Sequence, residues 1–240
     1  MIKKIVLSSV VLSSLMLVSC DNDDNNNAAV TPASTNVQIR FDAVGPNGFA
    51  PVLFATHTGD FDFFDTGSAA TAQLEPMAEL GDVSQIAGLL KSTDNSVQTT
   101  GPLAPGGNAT LTLTVDAANR YFSYAGMLLP SSDAFVGNNN PISIDLQTLI
   151  ANSNGNPIVI EVNRVYDAGT EVNDFLTAPG GGLVGAPAGV ATAGVTEGAN
   201  ITLISPTHFA GYANQGTFNG SSLDSAAGAS VGRITITVLP

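Results

Sequence analysis

The chain has no tryptophan, only four tyrosines and two histidines, and a single cysteine, Cys20. One cysteine excludes an internal disulfide, so a fold made outside the cytoplasm has to be held by its core or by a bound metal. His57 and His208 stand far apart in the sequence, without the paired spacing of a zinc site, and are expected to be ordinary satisfied polar residues. The missing tryptophan and scarce tyrosine remove the aromatic platform that lines most glycan clefts. Positive charge is short as well: seven Lys and Arg face 20 Asp and Glu, for a net charge of −13. That balance repels phosphate backbones and excludes nucleic acid as a partner, while favouring cations.

Apolar runs long enough to matter for a membrane occur only at the start. Lys3 and Lys4 precede an apolar stretch from Ile5 to Val18, and "LVSC" closes at Cys20. Residues 1–19 have the layout of a signal peptide. The Leu-Val-Ser-Cys ending resembles the lipobox of bacterial lipoproteins, which implies cleavage before Cys20 and lipidation of its thiol. The expected partner there is the membrane, reached through lipid on Cys20, and the expected location is the bacterial cell envelope, periplasmic or surface-exposed. Loss of Lys3 and Lys4 leaves five basic residues and takes the net charge to −15. Residues 20–36, acidic and rich in Asn, cannot bury enough apolar surface to fold and read as a flexible tether.

The third segment, 37–240, alternates apolar and polar residues in short runs broken by Gly, Pro and Asn. "VQIRFDAV", "NATLTLTVD" and "RITITVLP" each place one face inward. "YFSYAGMLLP", "PISIDLQTLI", "PIVIEVNRVYD" and "ANITLIS" are expected to be further strands. Such a set predicts an all-β antiparallel sandwich. One stretch departs from the β period: "TAQLEPMAELGDVSQIAGLL" spaces Leu74, Met77, Leu80, Val83, Ile86, Leu89 and Leu90 at three to four residues. Two short helices packed on the sandwich follow, the second capped by Asp82 with Gln85 reaching back. Residues 178–198 are mostly Gly, Ala, Pro and Val and read as a long loop.

Several chemical patterns fail on context. "GGGLVG" at 180–185 has dinucleotide-fingerprint spacing but follows Pro179 where a strand should end, and no helix pattern comes after it. No serine sits in a strand–turn–helix elbow. The sequons at Asn108, Asn200 and Asn219 follow from composition. "GDFDFFDTG" opens like an acidic metal loop, yet an EF-hand would need Gly and Glu where Asp65 and Thr71 stand, so it reads as a solvated turn anchored by Phe61, Phe63 and Phe64. "VYDAGTEVND" crowds Asp167, Glu171 and Asp174 around Gly169. Such acids need a cation or full hydration, and spacing alone leaves calcium cage and solvated turn equally open.

A second stretch adds to it. "GMLLPSSDAFVG", residues 126–137, holds Met127, Leu128, Pro130, Ser131, Asp133, Phe135, Val136 and Gly137, and Tyr166 to Glu171 then read "YDAGTE". Together these resemble the spondin N-terminal domain, known from F-spondin, mindin and many bacterial secreted proteins. The resemblance runs from about Val37 to Pro240 and implies a C2-like antiparallel β-sandwich carrying Ca²⁺ on loop carboxylates. Carried over residue by residue, the ligands are Asp133, Asp167 and Glu171, with Glu171 where the animal proteins have Asp. The expected protein is a lipid-anchored, calcium-binding adhesion or binding module, not an enzyme, with an extracellular or periplasmic protein or glycan as partner. The rivals are a glycan hydrolase using Asp167 or Glu171, and an inert surface lipoprotein.

Overall fold

The computed structural model describes residues 34–45, 47–92, 95–129, 131–173, 194–204 and 230–240. Cys20, Pro130, Asp174, His208, Asn219 and residues 178–193 of the expected loop lie outside the described residues. The chain divides into Met1–Thr31 and Pro32–Pro240. Strand β1 (Thr35–Ala43) already begins inside the stretch expected to be tether.

Among the described residues, eleven strands and three short helices form two antiparallel sheets. The all-β sandwich expected from the alternation is the fold. In the smaller sheet, β1 lies between β5 (Asn108–Val115) and β11 (Gly232–Val238), and β8 (Ile158–Val162) flanks β11. Register puts Ile39 between Ile236 and Leu111, and Phe41 opposite Ile234. Val37, Ile39, Phe41 and Ala43 are buried, whereas Gln38 and Arg40 face water, as a period of two requires.

The larger sheet runs β10 (Thr202–Leu203), β9 (Val165–Asp167), β7 (Ala134–Gly137), β6 (Tyr121–Leu129), β3 (Leu53–His57), β4 (Ser96–Thr99), with β2 (Gly48–Phe49) also paired to β6. It alternates differently: β3 and β7 are buried at every residue. One face packs on the smaller sheet through Phe41, Phe49, Phe54 and Phe122, with ring centroids 5.0–6.1 Å apart. The other face is covered by α1 (Leu74–Leu80), α2 (Ser84–Lys91) and the turn bearing Phe64. Phe64 meets Phe135 and Tyr166 edge-on at 4.8 and 4.7 Å, the geometry that aromatic quadrupoles favour.

The helices differ from expectation in three respects. Leu80 and Leu89 are 41% and 44% exposed, and the buried face of α1 is instead Leu74, Met77, Ala78 and Glu79. Asp82 Oδ1 does accept the Ser84 N–H, at 2.9 Å, but no bond from Gln85 completes a capping box among the described residues. "PISIDLQTLI" is not a strand: Asp145 caps α3 (Leu146–Asn152) by accepting the Thr148 N–H, and it also pairs with Arg120. The Asp145 to Thr148 spacing is the N-cap signature, and it outweighs the short apolar alternation before it. No helix among the described residues is long and apolar enough to cross a membrane.

Candidate metal centre

The pairing of β7 with β9 brings the two acidic segments together. Ala134 lies opposite Asp167 and Phe135 opposite Tyr166, so Asp133 falls beside Ala168, whose N–H donates to the Asp133 carbonyl at 3.3 Å. The turn before β7 is tied by Ser131: its hydroxyl donates to the Leu128 carbonyl and accepts the Ala134 N–H at 3.1 Å. Gly169 turns the chain past Asp167 with φ +67°, and a Cβ there would stand 2.8 Å from the Ala199 carbonyl group. Only glycine fits that left-handed turn against a neighbouring backbone.

Asp133 is fully buried. Its Oδ2 accepts the N–H groups of Thr170 and Glu171 at 2.9 and 3.1 Å and the Thr170 hydroxyl at 3.3 Å. Its Oδ1 is buried and has no hydrogen-bond partner. Asp167 Oδ1 accepts the Gly169 N–H at 2.8 Å and Oδ2 the Asn173 amide at 2.7 Å. Residues 195–199 close over this loop through Val172 N–H to Val195 O, Glu197 N–H to Thr170 O and Ala199 N–H to Gly169 O, at 2.7–2.9 Å. Over its described residues the expected long loop is thus held by its neighbours, as a strip hydrogen-bonded to the acidic turn.

Burial, with the Asp167 charge adding to it, pushes the Asp133 carboxyl up to about 7 against the pull of its N–H and hydroxyl donors. Glu79 reaches the same place from α1. Burial raises its pKa, the Thr170 hydroxyl offsets part of the rise, and the charges of Glu75 and Glu171 add to it. Among the described residues, no lysine or arginine acts on either carboxyl. Arg40, Arg120 and Arg233 are paired with Asp42, Asp145 and Glu161, and Lys91 and Arg164 are exposed.

Asp133, Asp167 and Glu171 are thus gathered at one end of the sandwich and buried, with at most 5% exposure. They do not stand as a formed cage: among the described residues, no three His, Cys, Asp or Glu side chains converge to hold a metal ion. The reason is local, since Asp133 Oδ2 is occupied by donors of the 167–171 loop and both Asp167 oxygens by donors close by in their own chain segment. The donor set nevertheless fits a hard cation. It supplies carboxylates and the Thr170 hydroxyl, hard oxygens that suit Ca²⁺ rather than zinc, and one of the buried carboxylate oxygens has no hydrogen bond.

The other sequence candidates are absorbed by the fold. Asp60, Asp62 and Asp65 are exposed on a turn whose Phe63 and Phe64 are buried. His57 is fully buried; its Nδ1 accepts the Gly59 N–H at 3.0 Å, so its proton sits on Nε2 and is donated to Ser123 Oγ at 2.9 Å. Burial pushes its pKa down, and both ring nitrogens are used.

A family model described as Spondin_N matches residues 40–175, more than half of the chain. The chain belongs to the spondin N-terminal domain family. No curated protein matches it. The matched span of the spondin domain includes Asp133, Asp167 and Glu171 and also Glu79. It stops short of β11, which nonetheless lies inside the smaller sheet and within the compact unit Pro32–Pro240. Glu79 was not singled out from sequence, because the stripe Leu74, Met77, Leu80 points to a different face of α1 from the one that is buried.

Proposed function

We propose that this spondin-type domain is a calcium-dependent binding module, tethered to a bacterial envelope membrane through lipid on Cys20. Asp133, Asp167 and Glu171 hold the ion. The observation that carries the reading is the fully buried Asp133 carboxylate, with one oxygen unpartnered and, among the described residues, no positive side chain acting on it. An unpaired buried charge is costly, and a divalent ion removes the cost. Bound there, calcium supplies charge neutralisation and ties the β6–β7 turn to the 167–171 loop, presenting a fixed sandwich end to an extracellular or periplasmic protein or glycan. A cleft of about 190 Å³ lined by Glu75, Gly169, Thr170 and Thr196 lies beside the 167–171 loop. Neither Asp167 nor Glu171 lines that cleft, which favours an ion-binding role over acid–base work on a sugar.

Thermal unfolding with and without divalent ions tests this. At about 100 times its dissociation constant, Ca²⁺ adds about 2.7 kcal/mol, which is roughly 5–10 °C for a domain of this size. Equal Mg²⁺ is expected to give less, and Asp167→Asn to abolish the gain. Equal responses to Ca²⁺ in wild type and Asp167→Asn would remove the calcium claim.

A further inference from the structure

Glu79 has no reason of packing to be where it is. It occupies the buried face of α1 beside Leu74, Met77 and Ala78 and is only 8% exposed. An acid on that face costs free energy unless something uses it. Two contacts say what. The Thr170 hydroxyl stands against the Glu79 carboxyl, and the same hydroxyl lies 3.3 Å from Asp133 Oδ2. The Glu171 charge also acts directly on Glu79.

We infer that Glu79 is a positioning residue of the cation centre, acting through Thr170 and adding a fourth buried carboxylate to Asp133, Asp167 and Glu171. The inference rests on the calcium reading above. Thr170 has one hydroxyl proton and two carboxylates to give it to. Asp133 Oδ2 already receives two backbone N–H groups, so it can release the hydroxyl when a cation takes up the Asp133 charge. Thr170 then turns that proton to Glu79. The ion is thereby linked to α1 as well as to the two loops, and the extra negative charge strengthens attraction for a cation, as charge count and rigidity do in calcium sites generally. Asp133 Oδ1, buried without a hydrogen bond, is the oxygen of this group of acids that can take a ligand without giving up a donor.

The test is calcium titration by calorimetry on the full chain, with the melting temperature of each variant measured in chelator. Glu79→Gln keeps the shape and an acceptor for Thr170 but removes the charge; Thr170→Val cuts the link and leaves Glu79. Each is expected to weaken Ca²⁺ binding about tenfold or more, the usual loss on removing a supporting partner of a metal ligand. Glu79→Gln is expected to do so without lowering the calcium-free melting temperature, which a merely structural acid would not manage. Unchanged affinity in Glu79→Gln, or weakening only in step with a lowered calcium-free melting temperature, overturns the role of Glu79 and leaves the calcium site standing. A wild-type chain that binds no Ca²⁺ overturns the calcium reading itself.

Discussion

The two sheets use similar residues and meet water differently. In the smaller sheet, β1 and β11 bury every second residue and set Thr, Gln and Arg outward. In the larger sheet, β7 has no wet face, because the smaller sheet covers one side and the helical layer the other. A polar group at the end of the first sheet has water to fall back on. One at the end of the second does not, and its oxygens have to be met by donors or by an ion. Asp133 and Glu79 are buried for this reason, whereas Asp42 and Glu161, at the smaller sheet, remain in contact with solvent beside their arginines.

The difference can be broken most severely by a charge. Ala125→Lys places an ammonium on the fully covered face of β6 and is expected to cost more than about 4 kcal/mol, while Thr112→Lys, on the wet face of β5, stays within about 0.5 kcal/mol. Urea midpoints of the two variants measure the contrast directly, and similar values would mean the larger sheet is wet as well.

A smaller effect appears with pH, where two buried groups pull in opposite directions. Asp133 is raised to about 7 in the fold, so without calcium the native state holds a proton that the unfolded chain has released above about pH 4. Its contribution is present below that value and is lost as pH rises toward 7, at about 1.4 kcal/mol per unit. His57 is lowered, so the unfolded chain takes the extra proton, and its contribution is lost as pH falls below about 6.5. In chelator, Asp133→Asn should leave stability rising through pH 5 to 6.5, and His57→Gln should leave it falling over about the same range. Saturating calcium should flatten the Asp133 slope. Parallel profiles for the two variants would contradict both assignments.

The smallest effect belongs to the wet sheet. Arg233 Nε donates to Glu161 at 2.8 Å across β11 and β8, and both side chains are well exposed. Glu161→Gln should change stability by less than about 1 kcal/mol and less still in high salt. A larger loss would place that pair in a drier setting than the exposed face of the sheet provides.

Legibility from sequence followed the same division in part, although β6, almost wholly buried, was also read as a strand. β1, β5 and β11 could be read because one wet face leaves a period of two in the residues. β3 escaped because a strand covered on both sides has no such period, and α3 was taken for a strand although Asp145 and Thr148 carried a cap signal. Asp133, Asp167 and Glu171 could be named from their two motifs. Glu79 could not, since the phase of α1 that turns Leu80 outward and Glu79 inward is set by its seat on β6 and β7.

By itself the sequence determined the sandwich class, the strands with one wet face, the family and the two acidic segments, because these depend on neighbours along the chain. Tertiary structure alone decided which sheet is dry on both sides, that the strip at 195–199 closes over the 167–171 turn, and that α1 contributes an acid to the same place. Burial depends on what packs against the far face of a residue, and that partner lies dozens of positions away.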